Sequence, residues 1–489
     1  MDLLDRLQAC INLLSQAFTR IVFFEIGPFP IIVMWLLLGA IFATLRMGFI
    51  NLRGMGHALN VLRGRYDTDD EAGEVSHLQA LSTALSATVG LGNIAGVAIA
   101  LRMGGPGAVL WMTLGGFLGM NTKFIECTLG QKYRVMQPDG TATGGPMYYL
   151  SLGLADLGKP RLGQALATFF AICSIGGSLG AASMFQVNQS YGAVAQILPI
   201  PNWLYGLVMM ALVGSVLVGG VQRVGQVASL LVPAMCIIYA GSALWIIGVH
   251  GRALPEALGT IVQGALHPTA IAGGAVGVMV QGLRRAVFAS EAGVGSAAIA
   301  HAAARTQEPI REGLVAMLEP LVDSGLICTL TALVLILTGA YADPALADLS
   351  GSELTAAAFA SVIPWFPVIL AITVFCFAFS TMIAAGYYGA CSWSFLFQNA
   401  NMGIYKALLL GSIFVGSIAT ATAVVDFSDG MFMLMAVPNL LGVYLLSNGV
   451  AHDLKDYFQR MKTWPRVEPQ PTALSVPPIA ISSSSRSSP

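Results

Sequence analysis

Residues 89–96 read VGLGNIAG, and they lie inside an apolar stretch that runs from Leu78 to Leu101. A helix in lipid must satisfy its own backbone hydrogen bonds. A glycine-rich interruption is therefore tolerated only where protein or a water-filled cavity receives the freed N–H and C=O groups. The alternative is close helix packing, because Gly92 and Gly96 also match the small-xxx-small pattern of helix contacts. Taken alone, the stretch favours packing over a binding site.

The composition is that of an integral membrane protein. Of the 489 residues, 56% are hydrophobic and 10% are charged, against about 25% charged residues in soluble domains. At about 20 apolar residues per span, this length accommodates roughly ten to twelve membrane helices, and we predict an all-α polytopic fold. The net charge of −1 gives no indication of a nucleic-acid partner. The 7 cysteines show no CxxC spacing, so neither a disulfide framework nor a zinc site is indicated.

The apolar runs predict eleven membrane helices, the first of them an extra helix before a repeated core. An N-terminal segment (4–26) is expected at the membrane interface, and a Pro- and Ser-rich tail (463–489) is expected to be disordered on the cytoplasmic side. The predicted spans are 29–50, 77–103, 107–131, 164–197, 203–221, 226–249, 271–303, 312–340, 364–398, 402–424 and 427–449.

The distribution of Lys and Arg predicts the orientation. Basic residues cluster on alternate connections, for example at Arg63, Arg65, Lys132, Arg134 and Arg311. Because cytoplasmic loops carry the excess of positive charge, the N-terminus is expected outside and the C-terminus in the cytoplasm, in the cytoplasmic (inner) membrane of the cell.

A second interruption changes the interpretation of the first. The seventh predicted span contains FASEAGVGSAAIAH (288–301), in which Gly293 and Gly295 follow an intramembrane acid, Glu291. Paired interrupted helices at corresponding positions indicate an inverted-repeat secondary transporter with its site near the bilayer midplane. We therefore predict an N-terminal segment with the extra helix (1–50), a first repeat with a cytoplasmic loop (51–249) and a second repeat (250–450).

The chemistry of the first interruption suits a zwitterion together with a cation. A half-helix that begins near Ile94 points its free N–H groups at the break, which favours a carboxylate. Unwound carbonyls near Ser86, Thr88 and Val89, with the amide of Asn93, offer neutral oxygens for Na⁺ or an ammonium group.

Other polar residues inside the spans are candidates for the same site. Ser380 and Thr381 in FAFSTMIAAGYYG (377–389) either complete a sodium site or bond back to their own helix. Gln186 is a candidate ligand contact, with interhelical hydrogen bonding as the alternative. The acids Glu319 and Asp323 are functional candidates because they lie inside a membrane, and ion pairs with Arg284 or Arg285 are an equally good structural explanation.

Several stretches resemble those of the alanine/glycine:cation symporter family, also called sodium:alanine symporters. They are LSATVGLGNIAGVA (85–98), GGPGAVLWM (104–112), TKFIECTLGQKYR (122–134), GGPMYYL (144–150) and FASEAGVGSAAIAHAAA (288–304). The resemblance implies a Na⁺-coupled importer of small neutral amino acids such as alanine or glycine. It also implies a leucine-transporter-like core of two inverted five-helix repeats with two discontinuous helices.

The resemblance also implies roles for individual residues. The carbonyls of Ser86 and Val89 with Ser380 and Thr381 would bind sodium, and Asn93 with the Thr88 carbonyl would lie at a second ion. Ala289, however, offers no hydroxyl where relatives with that ion use one. The residues that would contact the substrate are Gly90, Gly92, Gln186, Gly293, Gly295 and Ser296.

One departure from the family pattern leaves the substrate open. Where many members carry a tryptophan before the paired tyrosines, this chain has Ala384 and Ala385. A wider pocket is therefore expected, one that suits glutamine or another larger neutral amino acid. A rival mechanism couples transport to protons through Glu291 or Glu319. A channel is disfavoured because the sequence has no filter repeat, and an enzyme because the spans carry no HExxH or Gly-x-Ser-x-Gly motif.

Overall fold

The computed structural model describes residues 22–26, 29–67, 71–137, 140–217, 220–266, 274–349, 351–398 and 400–462. Nearly all of the regular structure in these ranges is helical, as predicted. Two short antiparallel pairs join β1 (Glu25–Ile26) to β2 (Phe29–Pro30) and β3 (Val135–Met136) to β4 (Ala142–Thr143). The predicted tail at 463–489 lies outside the described residues, as does the N-terminal segment up to residue 21.

In the first half of the chain, the helices follow the predicted spans. The labelled helices are α1 (Ile31–Arg46), α2 (His77–Thr88), α3 (Ala95–Gly104), α4 (Gly107–Lys132), α5 (Pro160–Leu179), α6 (Phe185–Ala195), α7 (Asn202–Leu217) and α8 (Gly220–Val249). Short helices at Ile50–Arg53, Met55–Leu62, Pro146–Tyr148 and Leu154–Asp156 connect them. A π-helical turn at Gly180–Met184 joins α5 to α6, and another covers Tyr149–Gly153.

The second half has the same alternation of long and interrupted helices. Its helices are α9 (Leu254–Leu266), α10 (Gly274–Ser290), α11 (Ala297–His301), α12 (Pro309–Ala316), α13 (Thr329–Leu337), α14 (Gly351–Ala360), α15 (Phe366–Phe397), α16 (Met402–Ile418) and α17 (Ala421–Met461). Between α12 and α13 the chain forms a short helix (Leu318–Pro320) and a π-helical segment (Leu321–Cys328). Single 3-10 turns cover Leu91–Asn93, Gly251–Ala253 and Pro344–Leu346.

Within the described residues, five helices are long and apolar enough to cross a membrane, and α2 with α3 would make a sixth as one bent span. Shorter apolar helices lie at α1, α7 and α16. The chain is therefore a multi-pass membrane protein.

The helix boundaries correct the predicted map in three places. The prediction contains no helix at α9 or α14, because a search for apolar runs of about 20 residues passes over helices too short to span. The predicted break at 425–426 was wrong, since α16 ends at Ile418 and α17 begins at Ala421. Helix α17 also continues to Met461, beyond the predicted end at 449.

The two interrupted helices lie side by side at the centre of the bundle. Helix α10 packs on α3 and α4, α11 packs on α2 and α4, and α2 packs on α8 and α15. Helix α2 begins with a reciprocal cap, in which the Ser76 hydroxyl accepts from the Gln79 N–H and the Gln79 side chain accepts from the Ser76 N–H. Both interruptions are buried among these helices.

Candidate functional site

The first interruption is an abrupt bend in an otherwise helical span. Helix α2 ends at Thr88, Gly90 is extended, and a single 3-10 turn precedes α3. The two halves are bent by 56°. The N–H of Gly90 donates to the Thr88 carbonyl at 2.9 Å, and the N–H of Leu91 donates to Gln186 Oε1 of α6 at 3.2 Å. A side chain from a neighbouring helix thus satisfies backbone freed by the break.

Helices α2 and α15 are joined by a reciprocal pair of hydrogen bonds just before the break. Thr381 Oγ1 donates to the Ser86 carbonyl at 2.9 Å, and Ser86 Oγ donates to the Ser380 carbonyl at 2.8 Å. All three residues are buried. Ser380 Oγ bonds back to the Phe377 carbonyl at 3.0 Å, so of the two hydroxyls only that of Thr381 crosses to the other helix.

Close approach of three elements explains the glycine at position 90. A Cβ atom there would lie 2.6 Å from Thr381 Oγ1 and 3.3 Å from Gln186 Oε1. Any side chain at Gly90 would therefore push α15 or α6 away from the break.

A narrow cavity of about 10 Å³, roughly the room that one water molecule needs, lies between the two interruptions. Four of its lining residues are sequence-predicted site residues: Thr88, Gly92, Gln186 and Thr381. The others are Ala87, Ala181, Ala182, Phe288, Glu291 and Phe432. Of these, the sequence singled out only Glu291, as an acid inside a span. The two alanines come from the π-helical turn at Gly180–Met184, for which the sequence has no distinctive signal beyond small residues.

The second interruption is built differently. Glu291 has φ 52°, and Gly293 and Gly295 both have φ 90°, a conformation that side chains rarely adopt. A Cβ at Gly293 would meet Leu36 at 2.8 Å, and one at Gly295 would meet Pro146 at 2.6 Å. These two glycines thus face other helices, and the lining residues of the cavity do not include them or Ser296, whose hydroxyl bonds the Glu291 carboxylate.

Asn439 of α17 holds this second interruption in place. Its Nδ2 donates to the Gly293 carbonyl at 2.8 Å and to Glu126 Oε1 of α4, and its Oδ1 accepts from the Tyr149 hydroxyl. Every polar atom of this amide is therefore engaged by a buried partner.

Asn93 and Asp323 form a second polar contact at the first interruption. The Asn93 amide nitrogen donates to Asp323 Oδ1, in the π-helical segment between α12 and α13. Asn93 Oδ1 and Asp323 Oδ2 are both buried and have no hydrogen-bond partner among the described residues. The hydroxyl of Thr88, by contrast, bonds back to the Ala84 carbonyl at 3.2 Å.

A larger set of charges, which we call the ion-pair chain, lies beside the second interruption. Its members are His77, Lys123, His301, Glu312 and Glu319. Glu319 accepts from Lys123 Nζ at 2.9 Å and contacts His301 Nε2 at 2.6 Å. Glu312 contacts His301 Nδ1 at 2.5 Å with one oxygen and His77 Nδ1 with the other.

The sequence-based alternative for the intramembrane acids was wrong about their partners. Arg284 and Arg285 both pair with Asp429 of α17, not with Glu319 or Asp323. Asp429 is buried inside α17.

Two members of the ion-pair chain, together with Cys127, form the only group of His, Cys, Asp and Glu side chains with metal-ligand spacing among the described residues. Possible ligand atoms of Cys127, His301 and Glu319 lie within 4.8 Å of one another. Both ring nitrogens of His301 and both oxygens of Glu319 are already engaged, and Lys123 supplies the positive charge. The arrangement is that of an ion-pair network.

Neither Ala384 nor Ala385 lines the central cavity. Both are buried in α15, and the Ala385 carbonyl accepts from the Ser178 hydroxyl of α5 at 2.8 Å. The space left by these small residues is therefore filled by helix packing.

Comparison with solved structures identifies the fold. The chain aligns with the crystal structure of MhsT in complex with L-phenylalanine at a TM-score of 0.51 and 14% identity, covering 76% of this chain and 88% of that one. The likeness shows a leucine-transporter-like fold with inverted repeats and discontinuous helices.

Sequence comparison identifies the family. The sodium/alanine symporter AgcS of Methanococcus maripaludis is 38% identical over 433 residues, which cover 88% of this chain and 94% of that protein. The probable sodium/glutamine symporter GlnT of Bacillus subtilis is 34% identical over 436 residues, which cover 88% of each chain. A profile of the sodium:alanine symporter family matches residues 12–470. The chain therefore belongs to the sodium:alanine symporter family.

Proposed function

We propose that this protein is a sodium-coupled importer of small neutral amino acids that works by alternating access. The observation that carries the proposal is the reciprocal bonding of Ser86 with Ser380 and Thr381 next to the central cavity. The names of the sodium/alanine and sodium/glutamine relatives point to the same substrate class. We place the protein in the inner membrane with its N-terminus outside, as the charge distribution predicts.

The first sodium ion binds where α2 and α15 meet. The carbonyls of Ser86 and Val89 and the hydroxyls of Ser380 and Thr381 are neutral oxygens of the kind that unwound transporter helices offer to Na⁺. Binding there fixes the interrupted helix against α15. The cavity then widens to admit the amino acid, with its carboxylate toward the backbone of Gly90 and Gly92 and with Gln186 beside it.

A second cation binds between Asn93 and Asp323, close to the Thr88 carbonyl. Asn93 Oδ1 and Asp323 Oδ2 are buried and have no hydrogen-bond partner in the part of the chain that the structure describes, and a carboxylate oxygen left unpaired inside a membrane favours a bound cation. The aspartate supplies the oxygen that Ala289 lacks. Each sodium ion that crosses gains about 2.3 kcal/mol per 100 mV of membrane potential, which corresponds to roughly 50-fold accumulation of substrate.

The decisive experiment is uptake of radiolabelled alanine into proteoliposomes with and without a Na⁺ gradient. Thr381→Ala should raise the Na⁺ concentration for half-maximal uptake by at least fivefold, since it removes an oxygen from the ion. Thr373→Ala is the matched control, because Thr373 is also buried in α15 and bonds only to its own helix, at the Ile369 carbonyl. An equal Na⁺ dependence in both variants would contradict the proposed ion site.

The second cation has its own test. Asp323→Asn keeps the size of the side chain and removes its charge, so the Hill coefficient for Na⁺ should fall from about two to about one. Asp343→Asn, in an exposed turn, should leave it unchanged. A coefficient of one in the wild type would reject the second ion.

Competition between unlabelled amino acids and labelled alanine for uptake identifies the preferred substrate. Alanine and glycine should displace labelled alanine better than glutamine does. If glutamine competes more strongly, the protein is the larger-neutral-amino-acid symporter suggested by Ala384 and Ala385 and by the name of the B. subtilis relative.

The rival coupling ion is the proton. Uptake in Na⁺-free buffer across a pH gradient would identify a proton-coupled symporter that uses Glu291 or Glu319. We expect no uptake without Na⁺.

A further inference from the structure

The ion-pair chain is unusual because the proposed transport mechanism does not use it. Lys123, His301, Glu312 and Glu319 are fully buried, and His77 is 2% exposed. Burying charges is costly unless they are paired and hydrogen-bonded. Five such side chains in one cluster therefore call for a role of their own.

Hydrogen-bond accounting assigns an extra proton to this cluster. His301 presents Nδ1 to Glu312 Oε1 at 2.5 Å and Nε2 to Glu319 Oε1 at 2.6 Å. A neutral imidazole has one N–H and one lone pair, so it donates to only one of two carboxylates. Both contacts are satisfied only if the imidazole is doubly protonated or if one carboxyl group carries the proton.

The cluster also ties together the inner halves of both interrupted helices. His77 begins α2, His301 ends α11, and the two oxygens of Glu312 in α12 contact one histidine each. Helices α2 and α11 pack on each other here, and their separation would open a path from the central cavity to this end of the bundle. Glu312 therefore acts as a clamp across that path.

The proton has a route to one side of the membrane. His77 Nε2 lies 3.5 Å from Asp67 Oδ1, and the Asp67 side chain is 46% exposed. Asp67 lies in the loop held by Arg134, which donates to the Ala72 carbonyl, and by Arg311, which donates to the Tyr66 carbonyl. The positive-inside prediction places this end in the cytoplasm.

Charged and titratable groups face the cluster around His301 from every element that packs on it. They are Lys123, Glu126 and Cys127 of α4, His77 of α2, Glu291 of the second interruption, Tyr388 of α15, Glu312 and Glu319 themselves, and Asp67, Glu71 and Arg134 near the surface. Lys123 neutralises one of the two carboxylates that face His301. The extra proton neutralises the other.

We infer that His301, held between Glu312 and Glu319, is a proton-binding site that locks the inner halves of the two interrupted helices together. The proton exchanges with the side that carries Asp67. Its loss leaves a lone pair facing a carboxylate, which breaks one arm of the clamp and frees α2 and α11 to separate. The proton is thus a ligand of the transport cycle, distinct from the ions proposed at the first interruption.

The test compares the wild type with Glu312→Gln in proteoliposomes. An amide both donates and accepts, so it can bond a neutral histidine without the extra proton. The initial rate of Na⁺-driven alanine uptake in the wild type should rise at least fivefold from pH 6 to pH 9, and in Glu312→Gln it should change less than twofold. His57→Gln should keep the wild-type profile, because burial and Arg311 lower the pKa of His57 and its ring bonds Tyr457 and not a carboxylate.

A second measurement is independent of transport. Hydrogen exchange in residues 77–88 and 297–301, corrected for the intrinsic effect of pH, should rise between pH 6 and pH 9 in the wild type and stay constant in Glu312→Gln. His301→Gln serves as the second variant if Glu312→Gln fails to fold, with the same expected result. A flat wild-type exchange profile, or a folded variant that keeps the wild-type profile, overturns the inference. If uptake fails at every pH while exchange follows these expectations, the proposed function is wrong and the proton lock stands.

Discussion

The two interrupted helices are opened in opposite ways. At Gly90 the backbone is extended and unstrained, and glycine is required because Thr381 and Gln186 approach so closely. At Gly293 and Gly295 glycine is required by the backbone itself, since both have φ 90°. The first break faces the cavity with neutral oxygens, whereas the second is fastened by Asn439 and surrounded by charges.

The difference indicates that the two breaks have different roles. Ligands that come and go need groups that exchange partners at low cost, and the hydroxyls and carbonyls of the first break offer them. A strained backbone persists only where its surroundings hold it, and the second break has such surroundings. We therefore expect substitutions at the first break to affect transport, and those at the second to affect folding.

The largest effect is expected from Gly90→Ala. The added methyl group would lie 2.6 Å from Thr381 Oγ1 and would separate α2 from α15. Alanine uptake should fall about 100-fold, the scale on which a displacement of roughly 1 Å disturbs a positioned site, while the yield of folded protein is retained. Gly96→Ala is the control, because the atom nearest to its methyl is Arg285 Cδ at 3.8 Å. Equal activity in the two variants would refute the close-approach argument.

Asn439→Leu tests the second break. The substitution removes the partner of the Gly293 carbonyl, Glu126 and the Tyr149 hydroxyl. Leaving buried polar groups unpaired costs about 1–3 kcal/mol for each group, so the thermal unfolding temperature in detergent should fall by several degrees. Asn448→Ala, which loses only two exposed bonds from Arg46, at 3.1 and 2.6 Å, should leave it unchanged. A full loss of uptake with normal stability would place Asn439 in the transport site instead.

Gln186→Ala should have a moderate effect. The Leu91 N–H loses its acceptor, and a hydrogen bond of about 1 kcal/mol corresponds to a rise in KM of roughly fivefold. Gln189→Ala, one turn further along α6, removes a side chain that bonds Asn188 and does not line the cavity, so KM should not change. Initial uptake rates over a range of alanine concentrations measure both values.

The smallest effect is expected from Ser296→Ala. Its hydroxyl bonds Glu291 and lies outside the lining of the cavity, so KM for alanine should stay within twofold of the wild type. A rise as large as that of Gln186→Ala would return Ser296 to the substrate site and remove the contrast between the two breaks.

Local pattern was enough to anticipate the interruptions and the helices around them. A bilayer penalises every unsatisfied backbone group, so VGLGN and AGVGS stand out against apolar neighbours. The approach of Thr381 to the first break was one of two alternatives that the sequence offered, and the resemblance to a family favoured it. The same hydroxyls also fit bonds within their own helix, which is what Ser380 makes.

The partners of the buried charges could not be predicted from the local sequence. The sequence suggested Arg284 and Arg285 for the intramembrane acids, because they are close to the second break along the chain. Their actual partner, Asp429, lies 144 residues beyond Arg285, and Lys123 reaches Glu319 over 196 residues. Which charges meet is determined by the packing of α10 on α17 for the arginines, and by the packing of α4 on the short helix Leu318–Pro320 for Lys123.

The π-helical turn at Gly180–Met184 determines which side chains of α6 line the cavity. Such a turn holds one residue more than the α-helix around it, and each residue rotates a helix by about 100°. Deleting a single residue there would leave α5 in place and swing Gln186 away from Leu91. The polar wall of the cavity therefore depends on chain length as well as on side-chain identity.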